Sequence, residues 1–245
     1  MSRLIELPNI TLVAVATQEV GAAVKALDYS QREIAFGDCM LVSHENPASE
    51  KPYRYVQIAP FSSVGEWGRY VVFDLVDQIE TEHILLIHED GFVVTPSAWD
   101  NAWLGYDYIG APFPLPTDPN SFRDAKGEIV RVGNSVSLRS RRILELPRKI
   151  GLKWENFDGG FPHEDGFLCV QHRYPLMEHG INYAPLEVAA RFGREVNLPE
   201  HKGVSPFVFH KWVGPNRGYP CFNPAAVRRK KIWRAKSKLK RLIMP

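Results

Sequence analysis

Two pentapeptides in this 245-residue chain share one sequence, His88-Glu89-Asp90-Gly91-Phe92 and His163-Glu164-Asp165-Gly166-Phe167. Each sets a histidine and two carboxylates ahead of a glycine. Hard divalent cations such as Mg²⁺ and Mn²⁺ prefer carboxylate oxygen, often with one or two protein ligands beside phosphate oxygens. A cation on a diphosphate stabilises the charge that develops as the diphosphate leaves. Asp90 is the candidate for holding that cation. A second carboxylate could take the proton of an attacking hydroxyl, worth roughly two to four orders of magnitude in rate. Asp165, beside Glu164 at an expected helix N-terminus, is placed for that, although a helix dipole stabilises the charged form and lowers basicity. Taken singly, each acid would serve equally as a turn residue or helix cap. The flanks differ, so the two copies are not a structural repeat.

The elements that must position these residues are legible as apolar runs and helical periods. Ile10–Thr17 reads as a first buried strand, with Pro8 and Asn9 arguing against a leader peptide, and Val20–Leu27 as the helix after it. Cys39–Ser43 and Tyr55–Ile58 are further short strands. Residues Glu66–Glu80 carry Trp67, Val71, Leu75 and Ile79 on one helical face. His83–His88 is then a continuous apolar strand that ends at Glu89 and Asp90. Strands alternating with helices predict an α/β fold with a mostly parallel central sheet, in which ligands bind beyond the carboxyl ends of the strands.

Downstream, the prolines of Ala111–Asn120 predict a loop, and Arg131–Leu138 a strand bearing Gly133 and Asn134. A short helix over Ser140–Leu146 should stop at Pro147. Trp154–Pro162 reads as a loop, Glu164–His179 as a helix, and Tyr183–Ala190 and Pro206–Trp212 as extended segments. Tyr106–Pro112 is expected to fill core. Thr17, closing the first strand, could either contact a nucleotide or cap the helix at Val20.

Apolar residues make up 44% and charged residues 24% of the chain, which excludes wholesale disorder. The three cysteines, Cys39, Cys169 and Cys221, are widely spaced and fit reduced core thiols in a cytoplasmic setting. No apolar run is long enough to cross a bilayer. The net charge of +2 conceals nine basic residues and no acid in residues 228–245, so the other 227 residues carry a net −7. The expected organisation is one domain over residues 1–225 and a basic helical tail over 226–245. In the tail, Ile232, Ala235, Leu239 and Leu242 share one helical face, and with Trp233 they favour an anionic membrane surface over nucleic acid.

Four features in order resemble the GT-A glycosyltransferase fold. Leu86-Ile87-His88-Glu89-Asp90 resembles its Asp-x-Asp metal motif, and Gly133-Asn134-Ser135 its glycine-containing donor loop. His163-Glu164-Asp165 resembles its x-Glu-Asp motif, and Phe209-His210 its C-terminal metal-binding histidine. Tyr106–Pro112, Gly133-Asn134 and Ser137-Leu138-Arg139 are similar to a poorly characterised bacterial group assigned to glycosyltransferases. The resemblance covers about Ile10 to Trp212 and implies a Rossmann-like GT-A domain. It implies a divalent cation, Mn²⁺ or Mg²⁺, on Asp90 and His210. A nucleotide-sugar donor, UDP-sugars first, would meet Thr17, His88, Glu89, Gly133 and Asn134. Asp165, with Glu164, would be the catalytic pair of an inverting transfer to a glycan or lipid-linked acceptor, and the basic tail would suit a cytoplasmic enzyme peripheral to the inner face of the membrane. His88 departs from the motif's first aspartate, which puts that donor contact in question. By residue type alone, His210 in Phe207-Val208-Phe209-His210 could equally be a hydrogen-bonded core histidine. Two other functions fit the same residues: a metal-dependent phosphohydrolase and a non-catalytic carbohydrate-binding protein on the same fold.

Overall fold

The first strand decides the layout of the rest. β1 (Ile5–Val15) ends in a run of fully buried residues from Ile10 to Val15, and such a strand needs partners on both edges and cover on both faces. It pairs in parallel with β2 (Ile34–Ser43) on one side and with β4 (His83–Ile87) on the other. β3 (Arg54–Gln57) adds to the outer edge of β2, again in parallel. Beyond β4 the sheet turns antiparallel through β6 (Val132–Ser140) and then β5 (Tyr108–Pro112), giving the order β3-β2-β1-β4-β6-β5. The fold is mixed α/β around a mostly parallel six-stranded sheet, as the alternation of elements predicts. Residues 4–119, 121–155 and 163–224 are described in this computed structural model. The basic tail and most of the Trp154–Pro162 segment lie outside them.

Helix α1 (Val20–Ser30) returns the chain from β1 to β2. The segment expected as one helix over Glu66–Glu80 is three consecutive helical types. α2 (Val64–Arg69) runs into a π turn over Tyr70–Asp74 and a 3₁₀ turn over Leu75–Gln78. Its predicted face is buried through Val71, Leu75 and Ile79, with Trp67 packed against the same cluster. α3 (Arg141–Lys149) does not stop at Pro147 but carries it inside the last turn. The bond a proline cannot donate is lost there, and the helix ends only two residues later. The expected long helix over Glu164–His179 is broken into α4 (Glu164–Gly166), a π turn over Phe167–Gln171, and α5 (Arg173–Glu178).

Residues 183–190 were expected to be extended, yet α6 (Leu186–Phe192) begins directly after Pro185. A proline before the first turn is a helix-start signal, since its missing N–H has no partner there in any case. Beyond α6, β7 (Gly193–Arg194) and β8 (Val208–Phe209) form a small parallel pair, so only part of Pro206–Trp212 is strand. Cys39 and Cys169 are buried free thiols and Cys221 is a partly exposed one. No helix among the described residues is long and apolar enough to cross a membrane.

Candidate active site

β1 and β4 are neighbours, but the chain leaves them in opposite directions across the sheet. Such a reversal marks the place, beyond the carboxyl ends of the strands, where open α/β sheets bind ligands. Ala14 pairs with Ile87, so Thr17 and Asp90 each lie three residues beyond the paired position. Between them lies Trp67, whose indole N–H donates to the Val15 carbonyl at 2.8 Å and whose ring is 5.3 Å from that of His88.

After β4 the chain makes a tight reversal. His88 N–H donates to Gly91 O at 2.8 Å, and Gly91 N–H to His88 O at 3.2 Å. The following residues are laced to β8: Phe209 N–H donates to Phe92 O, and Lys211 N–H to Asp90 O at 2.7 Å. On its other side the β8 segment meets β7, with His210 N–H donating to Arg194 O at 3.0 Å. Three extended segments therefore lie side by side and deliver Asp90, His210 and Glu195 to one place. Gly91 permits this approach. A Cβ there would stand 2.5 Å from Val136 Cγ2, 2.8 Å from Phe209 O and 3.0 Å from His210 Cδ2.

The structure brings Asp90 and His210 together, with Asp90 Oδ1 3.6 Å from His210 Nε2. The other ring nitrogen, Nδ1, is 3.7 Å from Glu195 Oε2. Burial works against a charge on His210, but Asp90 and Glu195 outweigh it and raise the imidazole to about 9. Glu195 shows the converse balance: burial raises its carboxyl, yet His210 and Lys211 hold it down at about 2. His88 stacks on His210 with ring centroids 5.5 Å apart. Burial, with the adjacent positive His210, presses His88 down to about 3, so it is neutral at ordinary pH.

A divalent cation is the cofactor these residues would take, and the donor set fits one. A carboxylate oxygen and an imidazole nitrogen converge, and the far nitrogen of the same imidazole faces a carboxylate, as metal-binding histidines commonly do. Among the described residues no group of three or more His, Cys, Asp or Glu side chains could hold an ion by itself. Two protein ligands, with diphosphate oxygens and water completing the shell, is a common arrangement for Mg²⁺.

Other expected site residues have different surroundings. Thr17 does not cap α1: its hydroxyl accepts the Phe61 N–H at 3.2 Å, and Glu19, at φ 53°, precedes the helix with no side-chain cap. Glu89 is partly exposed at the tip of the reversal. Gly133 is buried in β6, where a Cβ would fall 2.0 Å from the Phe113 ring, so its lack of a side chain is explained by packing. Asn134 is also buried, at φ 88°. Its Oδ1 accepts the Val136 N–H at 3.1 Å and its Nδ2 donates to Glu195 through a short hydrogen bond. Both ends of its amide are thus engaged within the protein.

The second acidic segment divides its two carboxylates. Glu164 is sealed in a buried ion pair with Arg139 at 3.0 Å, their side chains 2% and 0% exposed. Burial and the neighbouring Asp165 push the Glu164 carboxyl upward, while Arg139 pulls it back. Both of its neighbours' charges therefore act on a carboxyl that is enclosed in the described structure. Asp165 is half-buried, its Oδ1 accepting the Gly166 N–H at 2.8 Å. The buried Arg139 charge pulls down both the Glu164 carboxyl and the His88 imidazole. Glu195, Lys211 and Arg139 are side chains at these clusters that sequence reasoning did not name as candidates. Only the Ser137-Leu138-Arg139 resemblance gave a signal for any of them.

Fold and site together define an α/β protein with a cluster of acidic and histidine side chains at the carboxyl edge of its central strands. Residues 72–210, more than half of the chain, match the family described as "Protein of unknown function (DUF5672)", and the chain belongs to that family. The matched region includes Asp90, Asp165 and Glu195 and ends on His210. No curated protein matches the sequence. Among solved structures, the chain is similar to a glycosyltransferase involved in the glycosylation of the major capsid of PBCV-1. That likeness has 13% identity and a TM-score of 0.48, covering 85% of this chain and 95% of that one. It is also similar to the mannosyltransferase PcManGT from Pyrobaculum calidifontis, solved in complex with GDP-Man and Mn²⁺. There the identity is 12% and the TM-score 0.44, over 88% of this chain and 61% of that one.

Proposed function

We propose that this protein is a metal-dependent glycosyltransferase that moves a sugar from a nucleotide-diphosphate sugar to a hydroxyl acceptor. The observation that carries it is the convergence of Asp90 and His210, 3.6 Å apart, beyond the carboxyl ends of β1 and β4. These two residues would hold a Mn²⁺ or Mg²⁺ ion, which when bound supplies charge stabilisation to the departing diphosphate. Thr17, His88 and Glu89 border the donor side, and the neutral His88 presents no positive charge to repel the cation. Asp165, half-buried beside the sealed Glu164–Arg139 pair, takes the proton from the acceptor hydroxyl, which makes the transfer inverting. Glu164 holds the turn that presents Asp165. The acceptor is a glycan or lipid-linked glycan, and the 226–245 tail brings the domain to an anionic membrane surface.

The test is thermal. UDP and GDP, each with Mn²⁺, are added to the full chain and to Asp90→Asn. At least one nucleotide is expected to raise the melting temperature only when metal is present, and Asp90→Asn removes the rise. No stabilisation by either nucleotide sinks the proposal. Release of free phosphate from the donor with no acceptor present would point to a phosphohydrolase instead.

A further inference from the structure

We propose that Glu195 is the positioning residue of the cation pair, fixing the imidazole of His210 so that Nε2 faces Asp90; this rests on the metal-dependent reading above. Glu195 follows β7 and is gripped from two unrelated parts of the chain. One oxygen, Oε2, accepts from Asn134 of β6 and faces His210 Nδ1 at 3.7 Å. The other, Oε1, accepts from Lys211 Nζ at 2.5 Å. Each oxygen therefore has a partner whose own backbone is unusual. Asn134 sits at φ 88° and Lys211 at φ 65°, two of the four non-glycine residues with positive φ among the described residues. Side chains other than glycine hold such backbone only where the surroundings enforce it, and such residues cluster at functional sites. Here both strained residues converge on one carboxylate.

The geometry gives Glu195 two effects. It is the carboxylate that faces the buried Nδ1 of His210, a nitrogen with no hydrogen-bond partner of its own, and its charge there leaves Nε2 as the nitrogen turned to Asp90. It also neutralises Lys211, whose ammonium would otherwise stand uncompensated beside a site meant for a cation. His88, stacked on the opposite face, restrains the ring but offers no charge to do either job. A carboxylate that touches neither the cation nor the diphosphate thus decides how well both are held.

The experiment measures Mn²⁺ binding to the full chain by electron paramagnetic resonance, with the stabilising nucleoside diphosphate present. Wild type, Glu195→Gln, Glu195→Ala and the double variant Glu195→Ala/Lys211→Met are compared. Glu195→Ala is expected to weaken Mn²⁺ by about 10- to 100-fold. The nitrogen coupling from His210 is expected to fade even at saturating Mn²⁺, when Asp90 and the diphosphate still hold the ion. Glu195→Gln, which keeps the shape and the hydrogen-bonding oxygen, should lose less. The double variant should recover part of the affinity but not the nitrogen coupling. If Glu195→Ala does not fold, Glu195→Gln at saturating Mn²⁺ carries the test through the same coupling. Unchanged affinity and coupling in the folded variants overturn the role of Glu195 alone. A wild-type chain that binds no Mn²⁺ overturns the glycosyltransferase reading with it.

Discussion

A methyl group is the smallest probe of how closely the site is built. At position 91 it would meet the Phe209 carbonyl, the Val136 side chain and the His210 ring together, and two of these are parts of the cation pair's own scaffold. Gly91→Ala should therefore lower the melting temperature and at least halve the further rise given by nucleotide and Mn²⁺, both read in one thermal series. The Arg139–Glu164 pair offers a second test. Removing one member of a buried ion pair leaves an uncompensated charge and costs about 3–5 kcal/mol. Arg139→Met should lose that much in urea unfolding, and Arg139→Met/Glu164→Leu should regain most of it. That Asp90 and His210 would lie near each other was legible in the sequence, because a strand end and a motif order marked them. The division of labour between Glu164 and Asp165 was not, since adjacent acids look alike until one is enclosed. Glu195 left no trace in Phe192-Gly193-Arg194-Glu195, because its role comes wholly from contacts with residues 134, 210 and 211.

Elements were read more reliably by face than by form. Trp67, Val71, Leu75 and Ile79 recur every fourth residue, and a stripe so spaced drifts about 40° per step around a 3.6-residue helix. The π turn at Tyr70–Asp74 widens the helix where the drift accumulates, so the face was predictable but the hydrogen-bond pattern was not. The short 3₁₀ turn Pro199–His201 carries a pH dependence of its own. The Leu198 N–H donates to His201 Nδ1 at 3.2 Å, so the ring proton must be on Nε2, which reaches Gly193 O at 3.1 Å. The neutral ring satisfies both contacts, and burial lowers its pKa from the ordinary 6.5. Because the folded value lies below the unfolded one, this histidine's contribution is complete above pH 6.5 and is lost as the pH falls beneath it. The slope per proton is at most about 1.4 kcal/mol per pH unit. His201→Gln, which can keep one donor and one acceptor, should show a shallower acid limb in melting temperature between pH 6.5 and 5. Matching slopes in the two proteins would remove the histidine as the cause.

At the scale of the molecule, the alternation of strands and helices gave the α/β class and the mostly parallel sheet. The antiparallel turn to β6 and β5 was not marked, because fully buried strands of either direction read as the same apolar run. The basic tail is testable as a membrane contact in the intact chain. Replacing Lys230, Lys231, Arg234 and Lys236 by glutamine removes about 1 kcal/mol per charge. Affinity for vesicles containing phosphatidylserine should then fall by about two to three orders of magnitude. Equal binding by wild type and variant would exclude the surface role.

The three laced segments behind Asp90, Glu195 and His210 also set a schedule for synthesis. They lie far apart in the chain, so the cation pair cannot close until the ribosome has released residue 211, and contacts between such distant segments are slow to form. A nascent chain carries Asp90 for about half of its translation with no His210 to face it. The competence proposed for this site would therefore arrive late and all at once, after the sheet that carries it has been made.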